Sequence, residues 1–303
     1  MAGPSTLDLY LNRIREIRAL GVGTPETSYY PAVQAALDTA GSSLKPRVVC
    51  LHHPSGASGI PDYGLFLAPQ KRTAPPPEWR TDTAPERGVA EVKGAAHSIE
   101  ALIRSKQVQE KYLPRYQLVL VTNLWQFRLL RQGTGTIESF DLAPTEAEFW
   151  SLVHGPRPKP LHTRFADFLE RCLLTNAPVT RPADLARFLA SYARDALARL
   201  DEQATLPALA SLRTGLQSAL GVAFDAKDGE HLFRSTLVQT LFYGVFSAWV
   251  AHSRANTPEP FAWRTADWHM TVPVTRFLFR QVASPDALEP LHLVPLLDAA
   301  TAT

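Results

Sequence analysis

The chain has 303 residues, 45% hydrophobic and 20% charged, a composition that suits an ordinary folded protein with room for two domains. Lysine and arginine number 31 against 29 acids, so the bulk charge gives neither the basic tail of a general nucleic-acid binder nor an acidic tract. Cys50 and Cys172 lie in no zinc-like spacing and read as small buried side chains.

In chain order, Leu7, Tyr10, Leu11, Ile14 and Ile17 recur at helical spacing and predict a helix over 6–20 that Gly21 ends. Residues 1–18 mix charges with leucines, unlike a secretory leader. A second helix is predicted over about 28–40, with Glu26 ahead of it and Gly41 as its stop. The period then changes, and 47–51 and 63–67 predict strands separated by a Gly/Ser/Pro-rich loop over 52–61. Residues 68–87 carry five prolines and form a loop of a length that usually marks function or insertion. A short strand over 88–93, a helix over about 98–112 and strands over 116–121, 125–130 and 136–140 follow. Together they predict an α/β domain, residues 1–155, with a mixed sheet flanked by helices.

The proline-rich stretch 155–160 reads as a hinge. Beyond it strand signals nearly vanish, and helices are predicted over 184–201, 206–220, 230–252 and 271–283, giving an all-α second domain over 156–303. The most apolar run, 237–251, is too short to span a bilayer and reads as a buried helix. No membrane partner and a cytoplasmic location are the expectations.

One constellation carries chemistry. Phosphodiester hydrolysis needs an activated water and stabilisation of extra negative charge on phosphorus; carboxylates that hold Mg²⁺ supply both, and a lysine can orient the water and neutralise the transition state. Asp62 follows Ile60-Pro61 and opens one strand, and Glu91-Val92-Lys93 ends the next. Because strand side chains alternate, Glu91 and Lys93 share a face while Val92 points into the core, leaving the Val92 carbonyl beside the carboxylates.

The set Pro61-Asp62 … Glu91-Val92-Lys93, followed by a helix with Gln107 and Tyr112, resembles the PD-(D/E)xK nuclease superfamily. More closely, Glu26-Thr-Ser-Tyr-Tyr-Pro31, Ile60-Pro-Asp62, Glu91-Val-Lys-Gly94, Gln107-Val and the run Leu120-Val-Thr-Asn-Leu-Trp-Gln-Phe-Arg-Leu129 are similar to the N-terminal nuclease region of single-chain restriction-modification enzymes (type IIG, IIL and ISP arrangements). The resemblance covers about 5–140 well. It reaches the helical segment more loosely, where Gln239-Thr-Leu-Phe-Tyr-Gly244 is similar to the connector between nuclease and adenine methyltransferase.

That resemblance implies a restriction-endonuclease-like fold cutting double-stranded DNA with one or two Mg²⁺ ions. Asp62, Glu91, the Val92 carbonyl and, as an auxiliary acid, Glu26 would be metal ligands, with Lys93 as catalytic lysine and Gln107 holding a phosphate or water. No Asn-Pro-Pro-Tyr or Asp-Pro-Pro-Tyr motif appears, so the expectation is a fragment that stops before methyltransferase and target-recognition domains on the same polypeptide. Such a chain would cut poorly or without sequence preference, and double-strand cleavage would require two copies to meet.

Each signal has a plainer reading beside it. Asp62, Glu91 and Lys93 could be an ion pair on a sheet edge, Glu26 a helix-start acid, and Gln107 part of a solvated helix face. His52 and His53 could bind metal or contact DNA and His97 could touch phosphate, or all three sit as exposed histidines, and Lys71, Arg72 and Arg80 could grip a DNA backbone or belong to a solvated loop. Trp125 and Phe127 read as core strand residues. The alternative for the whole is a nuclease-like module that binds or assembles without cutting.

Overall fold

The computed structural model describes residues 4–24, 26–54, 60–68, 84–175, 177, 182–203, 206–225, 228–255 and 259–302. The chain divides into two compact units, Met1–Ala177 and Pro178–Thr303.

The first unit starts with α1 (Thr6–Leu20), whose N-cap Ser5 accepts from the Asp8 N–H and whose C-cap Gly21 takes the left-handed conformation that glycine adopts without strain. A 3₁₀ turn (Thr27–Tyr29) leads into α2 (Tyr30–Ser42). The strands are β1 (Val48–His52), β2 (Tyr63–Leu67), β3 (Val89–Val92), β4 (Leu118–Thr122), β5 (Gln126–Arg131) and β6 (Gly135–Asp141). They lie side by side in chain order, all antiparallel except β3 and β4, which run parallel.

A parallel pair needs a crossover. Here it is α3 (Ile99–Ile103), a π-helical turn (Gln107–Tyr112) and α4 (Leu113–Tyr116). The single helix expected over 98–112 is thus broken at Ser105, whose hydroxyl accepts from the Val108 N–H and starts the helical path afresh.

Strand alternation splits the core between the two faces of the sheet. Ala90, Val92, Leu120 and Leu129 pack with Leu7, Tyr10, Val33 and Leu37 of α1 and α2. Val89, Val119, Val121 and Leu130 pack with Ile99, Val108, Tyr112 and Tyr116 of the crossover.

The first unit continues past the boundary expected after residue 155. Helices α5 (Glu146–His154) and α6 (Lys159–Leu174) flank the proline-rich stretch, which is therefore a connection inside the unit. Phe165 and Phe168 of α6 stack against Phe127 and Phe140 of the sheet. The buried Arg171 guanidinium meets Glu138 of β6 at 3.2 Å, and Arg157 meets Asp8 at 2.6 Å. A buried pair of that kind is costly to separate, so α6 stays with the sheet.

Among the described residues the second unit is helical: α7 (Pro182–Glu202), α8 (Pro207–Leu220), α9 (Gly229–Arg254), α10 (Ala266–His269), α11 (Pro273–Val282), α12 (Pro285–Leu288) and α13 (Val294–Thr301). Helix α9 covers the apolar run expected to be buried, but only one face is. Leu237, Leu241, Val245 and Ala248 are enclosed, whereas Tyr243, Phe246 and Trp249 are exposed. No helix among the described residues is long and apolar enough to cross a membrane.

Candidate active site

Asp62 sits immediately before β2, Glu91 lies within β3 and Lys93 follows it. Tyr63 pairs with Ala90 in the β2–β3 register, which brings the two acidic positions to neighbouring strand ends. Both acids are buried: Asp62 is 7% exposed and Glu91 2%. Asp62 accepts from the Tyr30 hydroxyl at 2.6 Å through Oδ1 and from the Val92 N–H at 2.7 Å through Oδ2. A strand residue turns its N–H and carbonyl to the same edge, so the Val92 carbonyl faces the Asp62 side as well. The Lys93 N–H goes the other way, to the Thr122 carbonyl of β4 at 2.8 Å.

The Lys93 ammonium lies 3.2 Å from Glu91 Oε1 and 2.5 Å from Glu26 Oε1. Among the described residues Glu91 Oε2 is buried with no donor in good hydrogen-bonding geometry, although the Tyr112 hydroxyl is near enough to interact with the Glu91 carboxylate. Burial, then the Asp62 charge, raise the Glu91 pKa to about 7, with Lys93 pulling the other way. Burial opposes the charge on Lys93, but Glu26 and Glu91 outweigh it and hold the ammonium above its ordinary value.

The structure therefore brings Asp62, Glu91, Val92 and Lys93 together, while Glu26 joins them only through Lys93 and Tyr30 and does not form, with Asp62 and Glu91, the three-acid metal group expected of it. Glu26 faces the lysine and, at 3.4 Å, the Tyr30 hydroxyl. Gln107 is exposed on the π-helical turn and donates to the Tyr112 hydroxyl, which donates in turn to the Ile60 carbonyl at 3.0 Å, two residues before Asp62. Gln107 thus reaches the site through Tyr112. Burial carries the Tyr112 phenol up to about 12, with Gln107 lowering it and Glu91 and Asp62 raising it.

His52 and His53 stack on one another with centroids 3.7 Å apart, and His52 lies edge-on to Tyr30. His97 is exposed beyond Lys93. Lys71, Arg72 and Arg80 lie outside the described residues.

Two contributors are not singled out by the sequence reasoning. Tyr30 is one; its position four residues after Glu26, on a helix start, is the signal that places both on one face. The β4–β5 turn is the other. The Asn123 amide donates to the His97 carbonyl at 2.8 Å, and the Trp125 indole, expected only as core, donates to the Ala95 carbonyl at 3.0 Å. These two bonds fix the loop that leaves Lys93. Leu124 in that turn has φ 79°, a conformation rare for leucine, and the Tyr10 hydroxyl donates to its carbonyl at 2.6 Å.

Among the described residues no three His, Cys, Asp or Glu side chains are grouped so as to hold a metal ion. Two carboxylates and a backbone carbonyl remain, an all-oxygen set that suits Mg²⁺, which keeps several waters and takes one or two carboxylates from the protein. The buried Glu91 Oε2, without a well-placed donor among the described residues, is compatible with such an ion.

No family model and no curated protein matches the chain. Among solved structures it is similar to one described as a cryo-EM structure of a DrdV–DNA complex, at 16% identity and a TM-score of 0.33. The alignment covers 98% of this chain and 26% of that one, so the chain spans about a quarter of the length of this structural neighbour.

Proposed function

We propose that the first unit is a Mg²⁺-dependent DNA endonuclease of the PD-(D/E)xK type, working within a restriction or phage-defence system. The observation that carries the reading is the pair of buried acids, Asp62 and Glu91, at neighbouring strand ends, with Lys93 on Glu91 Oε1 and, among the described residues, no well-placed donor on Glu91 Oε2. A structural ion pair on a sheet edge would be exposed, whereas both of these acids are buried.

Asp62, Glu91 and the Val92 carbonyl are the residues that would hold the metal. When bound, Mg²⁺ supplies charge neutralisation at the phosphate and acidifies a coordinated water. Lys93 donates from an ammonium kept charged by two carboxylates, so its part is to place positive charge and a hydrogen bond at the scissile phosphate or the attacking water. Tyr30 and the Val92 N–H fix the Asp62 carboxylate before substrate arrives. The sequence resemblance at 26–31, 60–62, 91–94 and 120–129 supports the same reading, because those segments are the ones that meet around this site.

The test is nicking and linearisation of supercoiled plasmid with Mg²⁺. Asp62→Ala and Lys93→Ala are each expected to lower the rate about 10²–10³-fold or more while circular dichroism stays that of the parent. Variants that cut as the parent does would remove the assignment.

A further inference from the structure

The crossover between β3 and β4 has an outward face whose charge is out of keeping with the rest of the chain. The crossover from Ile99 to Tyr116 holds Arg104, Lys106, Lys111 and Arg115 against Glu100 and Glu110, a net +2 in 18 residues where the whole chain of 303 amounts to +2. All four cations are exposed. Arg104 lies near Glu100, so the lysines are the cations of this face that remain for a ligand. Lys106 and Lys111 enter no ion pair among the described residues. The inner face of the same segment is committed to the core through Val108, Tyr112, Leu113 and Tyr116, so only the cationic face meets solvent.

This face also adjoins the site. Gln107 lies between Arg104 and Lys111 and is bonded to Tyr112, whose hydroxyl holds the Ile60 carbonyl beside Asp62. The segment is wound partly as a π-helix, a form that is rare and concentrated at functional positions.

We infer that the outward face of the π-helical turn and α4 is the track on which a DNA duplex is held by its phosphates, with Lys106 and Lys111 as its principal contacts. The inference rests on the nuclease reading and names the surface that delivers DNA to that site. Lysines fit the task as compact point charges, able to hold phosphate without reading bases.

The experiment uses the full chain and a fluorescein-labelled duplex of about 30 base pairs, with anisotropy read in EDTA across roughly 50–200 mM salt. In Lys106→Ala/Lys111→Ala the slope of log K against log salt is expected to flatten by about 2, and affinity to fall about tenfold near 100 mM. Arg13→Ala/Arg15→Ala, on α1, is expected to bind as the parent does. A Lys106/Lys111 variant with the parent's slope and affinity would overturn the track while leaving the nuclease reading to stand on cleavage. A parent that neither binds nor cuts duplex would overturn both.

Discussion

At Glu91 burial and chemistry pull in opposite directions. The side chain is 2% exposed, and burial with the neighbouring Asp62 charge lifts its pKa from 4.5 to about 7. An acid whose pKa rises on folding takes up a proton as the chain folds. Its contribution is therefore fully present below pH 4.5 and is lost as the pH climbs through about 7. A gap of that size corresponds to about 3 kcal/mol, taken as an order of magnitude. In EDTA, Glu91→Gln is expected to be more stable than the parent above pH 7 and to show a shallower loss of melting temperature from pH 5 to 8. A Gln variant that loses stability as steeply as the parent would mean that Glu91 is not the group responsible. The site thus trades folding stability for a carboxylate held ready, a trade expected where function and stability compete.

The elements that place this carboxylate depend on close backbone approaches as much as on side-chain pattern. Gly88 enters β3 with φ +81°, and a Cβ there would meet the Leu118 carbonyl oxygen at 2.3 Å. Gly88→Ala combines a left-handed backbone with a clash against β4, and is expected to cost at least about 2 kcal/mol, read as a lower urea midpoint. An unchanged midpoint would show that β3 does not need this entry. The strands were legible because each alternates or runs apolar between turn residues; alternation put Glu91 and Lys93 on one face, while the resemblance in Pro61-Asp62 … Glu91-Val92-Lys93 singled out the site. What the sequence does not disclose is local: the break at Ser105, the π-helical winding after it, and the role of Trp125, whose indole reads as apolar until its N–H finds the Ala95 carbonyl. Tyr30 escapes notice for a similar reason. Its value lies in a hydrogen bond to Asp62 thirty-two residues away, and no periodicity reports such a contact.

Across the molecule, the division into units is set by packing and not by composition. A run of prolines at 155–160 suggests a hinge, yet the aromatic stack of α6 on the sheet and the buried Arg171–Glu138 pair carry the first unit to Ala177. Charge is likewise local, since the +2 of the crossover, residues 99–116, accounts for the whole net charge of the chain. The hydroxyl bonds described around the site reach further than the site. The Tyr63 phenol donates to the Tyr30 carbonyl at 2.7 Å, Tyr30 donates to Asp62, and Tyr10 donates to Leu124. Each of the three is driven upward first by burial. Of the eight tyrosines, these three are expected to stay silent in an alkaline spectrophotometric titration of the native protein and to ionise together only as the fold collapses. Phenolate absorbance would then serve as a built-in gauge of whether the ground beneath the carboxylates is still intact.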